Sequence, residues 1–259
     1  MDKLLTVVIP SYNVEKFLNQ TLDSFVCDEA AMKKFEVIVV DDGSKDNTAK
    51  IGKEYADKYP DTFRVISKEN GGHGSTINCG IRNAVGKYFK VVDGDDWVNT
   101  ADFVKLVEDL EKTESEYVFT NYYEYYDDVN RQKAVDFSQF KDGTEYDFAD
   151  VANKVCIPMH ALVIKTSVLK DNNIVIDEKC FYVDVEYVMF PVPFVNKVTF
   201  FDLHVYMYRL ALSTQSVSIL GFQKHINDHL RVTFHMFDFY RDYISSDKAD
   251  SAKADYMRT

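Results

Sequence analysis

Carboxylates crowd together in the stretch Tyr88–Trp97, YFKVVDGDDW. An apolar run stops at Asp93, and Gly94, Asp95 and Asp96 follow before the single tryptophan, Trp97. Residues two apart in an extended or turning segment project to the same side, so Asp93 and Asp95 converge. Carboxylates that close raise each other's pKa, and a hard divalent cation bound through oxygen relieves the conflict. Mg²⁺ and Mn²⁺ take such ligands and often bridge to substrate phosphates. Gly94 leaves room for a ligand to approach the backbone. Asp96 reads as a supporting carboxylate or a cap for the next segment, and Trp97 as a packing anchor. A lone D-x-D tripeptide favours a solvated acidic turn. Its position after a buried strand, with two other motifs beside it, reverses that preference.

Those motifs are set by the elements that carry them. Leu4–Pro10, Phe35–Ser44, FRVISK and KYFKVV read as strands, the first a continuous apolar run of the kind covered on both faces and the second a buried strand ending in acids. Helical patterns separate them: Val14 to Val26, KDNTAKIGKEYADKY, and the glycine turn and helix of ENGGHGSTINCGIRNAVG. TADFVKLVEDLEK is a further helix, with Thr100 as its cap and Phe103, Leu106, Val107 and Leu110 on one face. EYVFTNYYEYY returns as a strand. Strands alternating with helices predict a doubly wound, mainly parallel α/β sheet, whose ligands sit beyond the carboxyl ends of the strands. Those ends are PSYN, DDGS and DGDD, so three motifs point at one crevice.

After about Asp127 the rhythm changes. Val129–Phe148 reads as loop or hairpin, Lys165–Asn172 as a helix, and KVTFFDLHVYMYRL as a strand. From Gly221 a helix carries a stripe of Phe222, Ile226, Leu230, Phe234, Phe237 and Tyr240. The polar end, SSDKADSAKADYMRT, is expected to fray or to lead into a longer protein.

The 259 residues carry a net charge of −12, which disfavours nucleic acid and a broad anionic-membrane patch. Four dispersed cysteines with no C-x-x-C pair suggest neither a zinc ribbon nor a disulfide scaffold. No window reaches transmembrane length. The expected location is cytoplasmic, with peripheral attachment at the inner membrane face left open.

The ordered set VVIPSYN, FEVIVVDDGSKDNT, ENGGHGSTINCGI and GKYFKVVDGDDW resembles the family-2 glycosyltransferases of GT-A fold. The resemblance is dense over Leu4–Leu110 and looser to Ser218. It implies an inverting, Mn²⁺- or Mg²⁺-dependent transfer of a hexose or N-acetylhexosamine. The donor would be a nucleotide sugar, usually a UDP-sugar, and the acceptor a hydroxyl of a glycan, lipid-linked or protein-linked. Carried onto this chain, Pro10 and Tyr12 line the base and Asp42 accepts from the uracil N–H. Asp41 supports that turn, Asp93 meets the ribose or a metal-bound water, and Asp95 is the direct metal ligand. Many relatives have a basic residue where this chain has Ile77; His73 is a substitute donor contact or a solvent-facing loop histidine. The resemblance also implies that residues 1–220 form the catalytic domain, divided at about residue 110, and that 221–259 form a helical extension.

Inverting transfer needs a carboxylate that takes the acceptor proton. The resemblance maps it to Asp184 in FYVDVEYV, with Glu186 second; a helix-start acid is the plainer reading. In MYRLALSTQSVS, Arg209 is expected at the donor diphosphate or in a surface salt bridge, with Gln215, Ser216 and Ser218 as polar contacts. Tyr122, Tyr123, Tyr125 and Tyr126 read as a sugar-stacking wall or a half-exposed strand. His160 and His204 read as structural, with an acceptor contact open for His160. His225 and His229 lack a third metal ligand. The C-terminal stripe packs on the body or a partner chain, or meets an acceptor or membrane. Competing functions are a sugar-phosphate nucleotidyltransferase, which PSYNVEKF does not suit, and an inactive sugar-nucleotide-binding module.

Overall fold

A computed structural model of the chain describes residues 3–211 and 219–258. The apolar runs are strands because both their faces are covered: all seven residues of β1 (Leu5–Ser11) and of β2 (Phe35–Asp41) are buried. Val7, Ile9, Val37 and Val39 enter one hydrophobic core, while Val8, Ile38 and Val40 enter another on the opposite face. The strand period of two separates them.

Between these strands lie α1 (Leu18–Asp23) and α2 (Glu29–Met32), followed by α3 (Thr48–Lys58), β3 (Phe63–Ser67), α4 (His73–Asn83) and β4 (Tyr88–Val91). Next come β5 (Trp97–Val98), α5 (Thr100–Asp109), β6 (Tyr117–Tyr126), β7 (Arg131–Val135), β8 (Thr144–Asp147) and α6 (Phe148–Ala152). The described chain ends with β9 (Leu162–Lys165), α7 (Thr166–Asp171), α8 (Asp184–Met189), β10 (Lys197–Leu210), α9 (Ile219–Lys224), α10 (Ile226–Ile244) and α11 (Ser251–Tyr256).

The strand order is β3-β2-β1-β4-β9-β6-β10-β5, with β7 added on β6 and β8 on β10. Strands β3, β2, β1 and β4 are parallel; beyond them β9 runs antiparallel between β4 and β6. The order reverses at β1, and such switch points open a crevice at the carboxyl ends of the strands. The ends of β1 and β4 flank it.

Three local expectations change. Asn99, not Thr100, caps α5: its side chain accepts from the Ala101 and Asp102 amides, and the Thr100 hydroxyl donates to the Ser24 carbonyl. The segment Val129–Phe148 contains β7 and β8. The polar end does not fray, because α11 buries Tyr256, whose hydroxyl accepts from the Ile157 amide and whose ring meets Phe148 edge-on.

Candidate active site

The site begins with a turn pressed against the end of β1. The Gly94 amide donates to the Pro10 carbonyl at 3.1 Å, and a Cβ on Gly94 would lie 2.9 Å from that oxygen. The room expected for a ligand at Gly94 is therefore first taken by the protein's own backbone. Tyr206 fixes the turn from below: its hydroxyl accepts from the Asp93 amide and donates to Asp96 Oδ2 at 2.6 Å. Asp96, 2% exposed, also accepts the Arg209 amide at 2.7 Å. It supports the turn and is no cap.

Above the turn is a cavity of about 380 Å³. Asp93, Gly94, Asp95 and Asp96 line it from the turn that follows β4, and Pro10 and Tyr12 from the end of β1 and the residue beyond it. His73, His160, Tyr208 and Asp184 complete its polar wall, with Met159 and Phe181–Val183. Pro10, Tyr12, Asp93, Gly94, Asp95 and Asp184 thus meet in one space, and Tyr12 presents a half-exposed ring.

The electrostatics are those of a crowded acid site. Burial and the Asp93 charge push the Asp95 carboxyl up to about 6. Asp96 is driven well above the carboxylate range by burial and by the charges of Asp95 and Asp93. Asp93 goes the other way: burial opposes its charge, but His73 outweighs burial and lowers its pKa. His73 Nε2 lies 2.8 Å from Asp93 Oδ1. Burial raises the Asp184 pKa. Burial pulls His160 down to about 4, so its imidazole is neutral, stacked on Tyr208 at 3.9 Å between ring centroids.

Other expected residues lie elsewhere. Asp41 Oδ1 accepts from the Ser44 amide, within its own turn. Asp42 accepts from the amides of Gly71 and Gly72 at 2.9 and 2.8 Å and from Lys68 Nζ at 2.7 Å. It ties β2 to the glycine turn before α4 and does not line the cavity. Ile77 is fully buried, and Lys68 brings positive charge to this edge instead.

Arg209 lies in the interior and not in a surface salt bridge. It is 5% exposed, and each guanidinium nitrogen has a protein partner: the Asp95 carbonyl, Asp127 and Gln20. Its guanidinium carbon lies over the rings of Trp97 and Phe17, 4.7 and 4.9 Å from their centroids. Gln215, Ser216 and Ser218 lie outside the described residues.

Glu186 is not placed to serve as a base. Two residues beyond Asp184 on α8, it points away from the cavity, since i and i+2 do not share a helix face. It is fully buried, accepting from the Asp177 amide at 2.7 Å and meeting His235 Nδ1 at 3.0 Å. Asp177, Glu186 and His235 form the one such ligand-like cluster among the described residues. Arg231, 2.9 Å from Asp177, already brings it positive charge, so the group acts as an ionic clasp between α10 and α8.

The histidines and tyrosines mostly pack. His204 pairs with Asp136 and stacks on Tyr123; Tyr125 meets Trp97 edge-on. His225 pairs with Asp228 and packs on Phe181, while His229 lies beside Tyr182. Tyr122, Tyr123, Tyr125 and Tyr126 do not line the cavity, whereas Tyr208 does.

Sequence reasoning missed Lys90. It is fully buried on β4, its ammonium donating to the carbonyls of His160 and Leu162 at 2.8 and 3.2 Å. The signal was a charge inside the apolar run YFKVV. Lys68 was also legible, as the last residue of FRVISK and so at the same sheet edge.

Comparison with known proteins agrees with this picture. The family model for glycosyl transferase family 2 matches residues 6–172. The uncharacterized glycosyltransferase EpsJ of Bacillus subtilis (strain 168) is 37% identical over 123 residues, covering 48% of this chain and 35% of that protein. The minor teichoic acid biosynthesis protein GgaB of the same organism is 33% identical over 111 residues, covering 43% and 12%. These alignments span well under half the length of either relative. The crystal structure of S. aureus TarS 1-349 in complex with UDP-GlcNAc superposes with a TM-score of 0.72 at 22% identity, over 98% of this chain and 70% of that one. The mannosyltransferase PcManGT from Pyrobaculum calidifontis, in complex with GDP-Man and Mn²⁺, gives 0.67 at 16% identity, over 100% and 69%. At such identities these structures establish the fold, the expected GT-A-type sheet flanked by helices.

Proposed function

We propose, from the premise that this chain belongs to glycosyl transferase family 2, that it moves a hexose or N-acetylhexosamine with inversion from a UDP-sugar to an acceptor hydroxyl. The acceptor is a glycan, lipid-linked or protein-linked. The observation that carries the reading is the single cavity holding Asp93 and Asp95 on one side and Asp184 on another. The family match ends at residue 172, so the role of Asp184 rests on its place in this cavity.

The residues suit a divalent cation. Asp93 and Asp95 offer oxygen alone, which suits Mg²⁺ or Mn²⁺. The raised pKa of Asp95 marks a charge arrangement that a cation would complete. When bound, the metal supplies charge neutralisation for the departing diphosphate. Asp95 is the direct ligand in this reading, with Asp93 held in place by His73. Tyr12 and Pro10 receive the base, and Asp41 and Asp42 shape the neighbouring turn.

Asp184 takes the acceptor proton as the hydroxyl attacks. Burial raises its proton affinity, which favours that step. His160 is neutral and stacked, so it contributes shape and hydrogen bonding without a charge. Residues 1–220 form the catalytic unit in this reading, and 221–259 buttress α8 through the clasp at Glu186. TarS was solved with UDP-GlcNAc and PcManGT with Mn²⁺, which favours a nucleotide sugar and a divalent metal here. Among the described residues no helix is long and apolar enough to cross a membrane. The proposed location is cytoplasmic, with peripheral attachment at the inner membrane face left open.

Calorimetric titration with UDP tests donor recognition. Binding with Mn²⁺ that is lost on adding EDTA supports the reading; no binding in either condition contradicts it.

A further inference from the structure

Phe181, Tyr182, Val183 and Asp184 all line the cavity. Consecutive residues of a regular strand would alternate in and out. Tyr182, at φ 64°, breaks that alternation in the left-handed region, which an aromatic residue seldom enters. Its ring stacks on Phe222 of α9, 5.2 Å away between centroids with planes 3° apart. Phe181 is backed by His225, the residue that precedes α10, at 3.7 Å between centroids, and is still 43% exposed. The C-terminal helices thus brace an aromatic wall beside Asp184.

His160 lines the same cavity. Its carbonyl accepts from Lys90 Nζ at 2.8 Å, Tyr208 stacks on its ring at 3.9 Å, and Tyr206 meets the ring edge-on at 4.9 Å. These contacts fix the imidazole, yet among the described residues none hydrogen-bonds either ring nitrogen. A neutral imidazole offers one donor and one acceptor, and burial keeps this one neutral.

These groups define the ligand they suit. An aromatic face attracts the slightly positive C–H groups on one side of a sugar ring. A neutral imidazole pairs with hydroxyls. The described lining has no lysine or arginine, but it has Asp93, Asp95, Asp96 and Asp184. A divalent cation at Asp93 and Asp95 is matched by the donor diphosphate, so a phosphate on the acceptor would meet Asp184 as like charge against like.

We infer that the acceptor reaches Asp184 as an uncharged pyranose ring laid on Phe181, with His160 hydrogen-bonding its hydroxyls. The inference rests on the transfer reading for the role of Asp184. Phe222 and His225 are positioning residues, since they touch Tyr182 and Phe181 and do not line the cavity.

Saturation-transfer NMR on the full chain with UDP and Mn²⁺ tests it. The neutral probes are methyl glycosides of glucose, galactose, mannose and N-acetylglucosamine, and the anionic probe is glycerol phosphate. At least one glycoside is expected to bind, and glycerol phosphate is not. Phe181→Ala should weaken that glycoside at least about fivefold, and Phe181→Tyr should restore it. His160→Phe, which keeps the ring stack, should weaken it as well. UDP affinity equal to that of the wild type shows that each variant is folded. No glycoside binding, equal binding by Phe181→Ala, or tighter binding of glycerol phosphate overturns the inference. Glycoside binding that depends on Phe181 in a wild type that does not bind UDP overturns the donor reading and leaves the aromatic wall as a sugar site.

Discussion

His73 Nε2 lies 2.8 Å from Asp93 Oδ1, joining the first turn of α4 to the end of β4. The pair leaves the other Asp93 oxygen free of this bond. It also holds the imidazole pKa up: burial lowers it, but the charge and hydrogen bond of Asp93 prevail. Histidine and carboxylate therefore act as one unit at the cavity wall.

Loss of this support is expected to loosen the metal site without emptying it. His73→Ala should weaken Mn²⁺ binding by about 10- to 100-fold, as when groups that orient metal ligands are removed. His73→Gln, which keeps a donor, should recover part of the loss. Mn²⁺ titration by calorimetry measures both, and equal affinity in all three proteins would contradict the role.

Asp184→Asn tests the base. UDP affinity should be unchanged, because Asp184 lies outside the carboxylate pair at the end of β4. Transfer should fall by about 10²- to 10⁴-fold, the usual contribution of a general base. Near-normal turnover would move the base elsewhere.

Arg209 should behave as a structural hub. Removing a buried, paired charge typically costs about 3 kcal/mol or more. Arg209→Met is therefore expected to lower the urea midpoint clearly while the folded protein keeps UDP affinity to within about tenfold. Full stability with UDP binding abolished would return Arg209 to the diphosphate.

Lys90 gives a pH dependence of stability. Burial lowers its pKa to about 7, against an ordinary value of 10.5. Between these values the unfolded chain holds a proton that the folded chain lacks, so stability rises with pH across this window. Below about pH 7 both states are protonated and the full burial penalty applies. Relative to wild type, Lys90→Met should thus be more favourable by roughly 3 kcal/mol at about pH 6 than at about pH 9. Urea melts at the two values measure it, and an equal difference at both would show that Lys90 titrates normally.

The parallel half of the sheet was legible because buried strands and their polar endings follow each other locally. Topology alone then brought PSYN and DGDD together, and the cavity holds Pro10, Tyr12, Asp93 and Asp95. The environment of Arg209 was not legible. Its facing depends on β10, whose register against β6 shifts between Phe201 and His204 and again before Tyr206. Each such irregularity can turn later side chains to the other face, and no local pattern marks it. Asp184 and Glu186 were close in sequence and chemistry; only the rotation of α8 separates them. The end of the chain looked polar residue by residue, yet Tyr256 is buried, Ala252 and Met257 pack beside it, and Lys253 Nζ donates to the Pro193 carbonyl, so α11 docks.

The most direct test is release of nucleoside diphosphate from a panel of UDP- and GDP-sugars, with Mn²⁺ or EDTA, for wild type and Asp95→Ala. The account predicts slow release from one UDP-sugar by the wild type with Mn²⁺, lost with EDTA and lost in the variant. Release that survives both EDTA and Asp95→Ala, or no release together with no UDP binding, would contradict it.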